Sequence, residues 1–290
     1  MIVFPNAKIN LGLRITRRRP DGYHDIESLM VPIAWRDILE VVPSTGPITT
    51  LTVTGRNVDC PPESNLVMKA FRALEKHLAA PLPPLDIYLR KIIPDGAGMG
   101  GGSADASFAL RAINAQLRLG LSDSELAKVA ATVGADCPFF IYNKVSEASG
   151  TGTTLTYAAE AEKALRRLKM TIAIAKPAEG VSTREAYASI MPRPLSGLTP
   201  AQIVATLAPE EWQAAGLVND FEQSVMTKCP SVRRALNIMS GSGAAYSSMT
   251  GSGSAVFGLF HGMNDNLSAE LEESLPGCAI FVAPLLAEED

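Results

Sequence analysis

Residues 96–107 read GAGMGGGSADAS, with glycine at five of the first seven positions. Glycine inside regular structure costs roughly 0.5–1 kcal/mol relative to alanine, so the run belongs to neither a helix nor a strand interior. Its flanks are regular. LDIYLR (85–90) places Leu85, Ile87 and Leu89 on one face of a strand. From Ser103 the period changes, and Ala106, Ala109, Leu110, Ile113 and Leu117 fall at helical spacing. Strand, glycine loop and helix together form an anion-binding arrangement. Backbone N–H groups can face a phosphate only where no side chain blocks them, and a helix N-terminus adds unpaired donors. Ser103 supplies a hydroxyl at that helix start. The other reading of the same glycines is a tight turn that permits close packing, and both stay open at this point.

Two better-known loops do not fit. GxxxxGK[ST] is absent. GxGxxG does occur, as Gly96, Gly98 and Gly101, but no acidic residue ends a following strand where a ribose would need it. A second glycine turn, MTGSGSAVF (249–257), separates two strands. Alone it reads as a hairpin or bulge; beside the first loop it favours a shared nucleotide cleft.

Charge and cysteine usage narrow the partners. The 290 residues carry a net charge of −4, which gives no footprint for nucleic acid or an anionic membrane surface. Cys60, Cys137, Cys229 and Cys278 are widely spaced without CxxC or a Cys/His cluster, so neither zinc nor a disulfide framework is expected. MIVFPNAKINLGL is too broken by Pro5, Asn6, Lys8 and Asn10 for a signal peptide, and no apolar run reaches membrane-span length. A soluble cytoplasmic protein is expected, with free thiols.

The remaining pattern predicts an α+β chain with a soft domain boundary near 155, dividing 1–155 from 156–290. The first third reads mostly as strands, including 37–42 and 48–54, with Pro20-Asp21-Gly22 as a turn. A helix is expected from Ser64, as its cap, to Leu78. Ser122 and Glu125 form a capping box for another, ending near Gly134. Further helices are expected near 182–190, 200–207, 218–228 and 230–239. Strands are expected at 168–177, 246–250, 254–260 and 278–285. Asp136 follows a helix and precedes an apolar run that reads as a strand.

Three segments together resemble the GHMP kinases: PNAKINLGL (5–13), GAGMGGGSADAS (96–107) and MTGSGSAVF (249–257). Within that superfamily RRPDGYHDIESLM (18–30), IPDGAGMGGGSADAS (93–107), GADCPFFIY (134–142) and VNDFEQSV (218–225) resemble the 4-diphosphocytidyl-2-C-methyl-D-erythritol kinases. The resemblance spans nearly the whole chain in the expected order. It implies an N-terminal domain like ribosomal protein S5 domain 2, a ferredoxin-like C-terminal domain and an active site in the cleft between them. It implies an ATP- and Mg²⁺-dependent kinase of the non-mevalonate isoprenoid route, phosphorylating the 2-hydroxyl of its small-molecule substrate.

The resemblance also assigns roles. Asp136, otherwise a capping or turn residue, becomes the carboxylate that accepts or orients the substrate hydroxyl proton. Lys8, otherwise a snorkelling lysine at a strand end, would stand beside it, hold it ionised and offset charge on the transferring phosphoryl group. Asn10 shares the strand face of Lys8 and would bond the substrate or the lysine. Tyr23 would stack on cytosine while His24 bonds its edge, with Tyr187 as a second aromatic wall or simply a core residue. Gly96, Ala97, Gly98, Met99, Gly100, Gly101, Gly102 and Ser103 would cradle the ATP phosphates. Asn65 is a candidate near adenine or ribose, and the 249–253 loop near substrate phosphates.

Other residues read as structural. Asp105 is expected in the first helical turn, complementing the helix dipole, and no side chain is assigned to metal. Arg17, Arg18 and Arg19 read as a solvated hairpin, His77 and His261 as surface, and Cys137 as packing. Relatives often carry Gly-x-Gly-Glu where this chain has Gly150-Thr151-Gly152-Thr153. A monomer or weak homodimer is expected. The rival readings are another GHMP kinase, acting on a mevalonate-like alcohol or a sugar, and a non-catalytic nucleotide-binding sensor.

Overall fold

The strand expected from LDIYLR forms as Leu85–Lys91, with Leu85, Ile87 and Leu89 buried and Tyr88 exposed. The computed structural model describes residues 1–56, 60–188, 190–193, 197–262 and 264–286. They divide into two compact units, neither contiguous in sequence. One contains Met1–Ala7, Trp35–Asp95 and Gly100–Lys144; the other contains Lys8–Ala34, Gly96–Met99 and Val145–Asp290. The boundary drawn at 155 from composition lies ten residues beyond the last crossing of the chain between these units, and contacts assign the first hairpin to the second unit.

In the first unit Leu85–Lys91 is an inner strand. The order is Ile2–Val3, Ile38–Pro43, Leu85–Lys91, Thr50–Gly55, with only the last pair parallel. Alternation puts Leu39, Val41, Ile87 and Leu89 on one face. There they pack with Val67, Phe71 and Leu74 of the helix Leu66–Leu78 and with Ala109 and Ile113 of the helix Gly101–Gln116. One apolar face against amphipathic helices is the layered solution expected of such strands.

Local chemistry moved three expected boundaries. Asn65, not Ser64, caps the first helix: its Oδ1 accepts from the Val67 amide at 2.9 Å. The helix after the glycine run starts at Gly101 rather than Ser103, because glycine is tolerated in a first turn that a loop must enter closely. The apolar run after Asp136 is a helix, Cys137–Tyr142, not a strand. A short apolar run cannot be assigned by periodicity alone, and Pro138 in the first turn is pre-set for helix. The capping box of Ser122 and Glu125 forms as expected, starting the helix Asp123–Val133.

The second unit holds two four-stranded antiparallel sheets. One runs Asn6–Arg18, His24–Arg36, Ser146–Ser149, Thr154–Tyr157; the other runs Tyr246–Met249, Val256–His261, Met170–Lys176, Ala279–Pro284. Gly22 turns the first hairpin with φ +86°. Met170–Lys176 is buried throughout, as its continuous apolar run requires. The Ser146–Ser149 and Thr154–Tyr157 strands gave no apolar alternation to read; they flank the turn at Gly150 and Gly152. Helices Thr183–Ala188, Pro200–Thr206, Glu222–Lys228 and Pro230–Gly241 fall where helices were expected; residue 189, within the expected 182–190 span, lies outside the described residues. Ala159–Leu168, Pro209–Trp212 and Leu267–Ser274 are additional. One mixed and two antiparallel sheets, without strict strand–helix alternation, make the chain α+β.

Candidate active site

In the second unit the two glycine loops meet backbone to backbone. A Cβ on Gly98 would lie 2.1 Å from the Thr250 carbonyl oxygen, and one on Gly251 would lie 2.7 Å from the Gly98 oxygen. Both glycines also have positive φ, +71° and +56°. Close packing therefore explains Gly98. Gly96 differs: with φ +59° it has nothing within 4 Å of a built Cβ, so the space beside it is open, while its carbonyl accepts from the Ser254 amide at 3.3 Å. The close-packing reading of the run therefore holds at Gly98 and does not account for Gly96.

Lys8 is tied to this junction. It is only 3% exposed. Its Nζ donates to Asn10 Oδ1 at 2.6 Å and to the Gly98 carbonyl at 3.0 Å. A buried ammonium needs such partners, so Lys8 does not snorkel. The Asn10 contact expected from the shared strand face is present. Asn10 Nδ2 donates to Ser28 Oγ at 2.7 Å, and Ser28 donates to the Gly12 carbonyl at 2.6 Å.

Thr250 completes the junction. Its Oγ1 accepts from the Asn10 amide at 3.0 Å and donates to the Gly98 carbonyl at 3.3 Å. Asn219 holds the second loop, with Nδ2 donating to the carbonyls of Met249 and Gly251 at 2.7 and 2.8 Å. Glu222 accepts from the Ser248 hydroxyl and, at 2.8 Å, from the Met249 amide. Ser28, Asn219, Glu222 and Thr250 were not singled out from sequence. The placement of Ser28 within RRPDGYHDIESLM, of Asn219 and Glu222 within VNDFEQSV, and of Thr250 within the 249–253 loop pointed toward them.

In the first unit Gly100 stands before the Gly101–Gln116 helix with φ +71° and no side chain to cap it. The amides of its first turn have no intrahelical acceptors, and the helix dipole adds partial positive charge there. GADCPFF is held against this start. A Cβ on Gly134 would lie 3.2 Å from Cys137 Sγ and 3.9 Å from Ser103 Oγ, and Ser107 Oγ donates to the Cys137 carbonyl at 2.7 Å. Asp136 is half-buried and makes no side-chain capping bond to the helix it precedes, so the capping reading falls away. Burial pushes the Cys137 thiol up to about 11, which leaves it inert at neutral pH, as expected. Asn65 is buried with its Oδ1 in the helix cap. Its neighbour Leu66 reaches within 3.4 Å of a Cβ built on Gly102.

Asp105 departs from expectation. It begins the second turn, not the first, and is 2% exposed. It belongs to a buried cluster in which Lys91 Nζ donates to Asp105 Oδ2 at 2.7 Å and also to Asp37. The dipole reading needed no partner; here Lys91, fourteen residues away in sequence and itself bonded to Asp37, holds the carboxyl inside.

In the second unit the His24 ring stacks on Tyr187, with centroids 4.9 Å apart and planes at 27°. Tyr187 meets Phe221 edge-on at 4.8 Å and 79°. Phe221 was not anticipated. Tyr23 is 68% exposed. Arg17 and Arg19 pair with Asp25, and Arg19 also with Asp21. His77 is exposed, and His261 Nε2 lies 2.6 Å from Glu210.

Comparison with known proteins bears directly on this arrangement. The model of the GHMP kinases N terminal domain matches residues 65–144, and that of the GHMP kinases C terminal domain matches 205–276. A 4-diphosphocytidyl-2-C-methyl-D-erythritol kinase of Parabacteroides distasonis is 46% identical over 261 residues, covering 90% of this chain and 92% of that protein. The chain belongs to the 4-diphosphocytidyl-2-C-methyl-D-erythritol kinase family. A crystal structure of a 4-(cytidine 5'-diphospho)-2C-methyl-D-erythritol kinase superposes with a TM-score of 0.78 at 28% identity, covering 97% of this chain and 98% of that one. A mevalonate kinase structure, at 15% identity and a TM-score of 0.72, shares the fold. As a member of this kinase family the chain is an ATP-dependent phosphotransferase with the GHMP kinase fold. Among the described residues no helix is long and apolar enough to cross a membrane.

Proposed function

We propose that this kinase transfers the γ-phosphoryl group of ATP to the 2-hydroxyl of 4-diphosphocytidyl-2-C-methyl-D-erythritol, in the supply of isoprenoid precursors. The observation that carries the reading is the bond from Lys8 Nζ to the Gly98 carbonyl. It fixes a buried cation on the same glycine run that continues into an uncapped helix start. The substrate follows from the relative at 46% identity, which bears that name over 92% of its length.

In this reading Gly96 and the amides of Gly101, Gly102 and Ser103 receive the ATP phosphates. Asp136 accepts the hydroxyl proton as the oxygen attacks γ-phosphorus and ADP leaves. General-base help is worth roughly 10²–10⁴-fold, and in a loose transition state much of it is positioning. Lys8 offsets the charge on the transferring group. Asn10 holds Lys8. Tyr23, His24 and Tyr187 receive the cytosine, and the stacked His24–Tyr187 pair supports an aromatic surface for a base. Asn65 stands near the adenine or ribose. Mg²⁺ is usually held through substrate phosphates, waters and one or two protein oxygens. Ser103 is the side-chain oxygen of the loop that would reach it, and the ion would neutralise phosphate charge.

We read 155 as the place where the family's two domains join, since the two family models match on either side of it. We read the enzyme as cytoplasmic, and as a monomer or weak homodimer. The decisive test is ADP release with MgATP and 4-diphosphocytidyl-2-C-methyl-D-erythritol, run beside Asp136→Asn. Substrate-dependent release that collapses in the variant supports both reaction and carboxylate. Folded wild type that binds ATP without releasing ADP refutes the substrate, and unchanged turnover in Asp136→Asn refutes the role of Asp136.

A further inference from the structure

The buried cluster of Asp37, Lys91 and Asp105 has no part in the chemistry above, yet it touches both ends of the glycine loop that lie in the first unit. At the entry, Asp37 Oδ1 accepts from the amides of Ile92 and, at 2.9 Å, Ile93, just where the chain leaves the Leu85–Lys91 strand. At the exit, Lys91 Nζ lies 3.4 Å from a Cβ built on Gly101, and Ile93 Cγ2 lies 3.1 Å from the same point. Lys91 bonds Asp105 one turn further into the helix. A lysine side chain therefore passes directly behind the first residue of the helix, held between two carboxylates.

Stability alone does not account for such a cluster. Desolvating each ion costs several kcal/mol, and well-packed apolar residues of similar volume are often as stable. The charge balance is also specific. Burial works against the Lys91 ammonium, but Asp105 and Asp37 outweigh it and hold its pKa above the usual lysine value. Burial pushes the Asp105 carboxyl up to about 8, against the pull of Lys91. Asp105 Oδ1 has no hydrogen-bond partner.

Resting on the reading that ATP binds at the glycine run, we propose that the Asp37–Lys91–Asp105 cluster positions the first turn of the Gly101–Gln116 helix for the nucleotide phosphates. Asp105 is a positioning residue: it holds Lys91, and Lys91 sets both the placement of Gly101 and the positive field behind its amide. An amide at 105 reproduces the carboxyl in shape and keeps an oxygen acceptor for Lys91. An apolar residue leaves Lys91 free to turn away toward Asp37.

The test is MgATP affinity of the full-length protein by calorimetry, with thermal melting of each variant. Asp105→Asn should bind MgATP within about threefold of wild type, whereas folded Asp105→Leu should bind about tenfold more weakly. If Asp105→Leu does not fold, Asp105→Ala replaces it under the same criteria. A folded apolar variant binding within about twofold of wild type overturns the proposal. So does an equal loss in Asp105→Asn and the apolar variant, because a merely structural role would not be rescued in affinity by the amide. Wild type that binds MgATP but does not phosphorylate the erythritol substrate refutes the substrate reading alone; wild type that does not bind MgATP overturns both.

Discussion

Gly98→Ala and Gly96→Ala impose the same chemical change two residues apart, and the structure separates their costs. At Gly96 the added methyl meets nothing within 4 Å, so the penalty is that of a left-handed residue at φ +59°, about 1–2 kcal/mol. At Gly98 the same backbone penalty applies at φ +71°, and the methyl would stand 2.1 Å from the Thr250 carbonyl oxygen and 3.2 Å from Gly251 Cα. No side-chain rotation relieves a clash between two backbones. Overpacking of this kind adds about 1–3 kcal/mol, for a total of roughly 2–5 kcal/mol. At about 2–4 °C per kcal/mol for a chain of this size, Gly98→Ala should melt several degrees below Gly96→Ala. Function should separate the two as well. The Gly98 carbonyl accepts from Lys8 Nζ and from Thr250 Oγ1, so forcing the loops apart moves the lysine. A misplacement near 1 Å can cost about 10²-fold, and kcat should fall in Gly98→Ala. Gly96→Ala should instead raise the KM for ATP, because the added methyl would fill the open space beside the loop where a phosphate would approach. The measurements are thermal melts and steady-state kinetics on both variants with MgATP varied. Gly98→Ala melting no lower than Gly96→Ala, or a folded Gly98→Ala with unchanged kcat, would refute the argument.

Three other outcomes follow from single contacts. Asn10→Leu removes the acceptor that Lys8 bonds at 2.6 Å; kcat should fall by at least about tenfold with the KM for ATP little changed, loss of a charge-assisted bond being worth about 1.5–3 kcal/mol. Tyr187→Leu removes the ring that stacks on His24. It should raise the KM for the cytidine substrate by about threefold to tenfold, aromatic pairing being worth roughly 0.5–1.5 kcal/mol, and leave the KM for ATP alone. For pH, the Asp105 carboxyl is raised to about 8 in the folded protein. The folded state therefore holds a proton that the unfolded chain releases near pH 4, and the stability this contributes is lost as pH rises from about 4 through about 8. Melting from pH 5 to pH 9 should show wild type losing ground to Asp105→Asn; parallel curves would contradict the shift.

What the sequence determined was local. Turn chemistry at Pro20-Asp21-Gly22, the capping box at Ser122 and Glu125, and the period changes around the glycine run each depend on neighbours within a few residues. The structure has the corresponding hairpin, cap and helix. The short segments around Lys8, Gly96 and Asp136 were likewise enough to mark the family, because their residue types and order survive without knowledge of contacts. The errors were local choices that packing decides. CPFFIY is equally apolar as strand or helix, and its burial among helices with Pro138 in its first turn settled it as helix.

Only tertiary structure could join residues distant in the chain. Gly98 owes its glycine to Thr250, more than a hundred residues away, because two backbones cross there. Lys8 and Asn10 are neighbours on one strand, yet Thr250 holds the Asn10 amide and the Gly98 carbonyl that Lys8 bonds. Asp105 read as a charge complementing a helix dipole; Lys91 and Asp37, brought in by a strand end and a strand entry, made it a buried acid. A charge reads as solvated in sequence unless its partner is also in view, and burial, which fixes both its partner and its protonation, belongs to the fold.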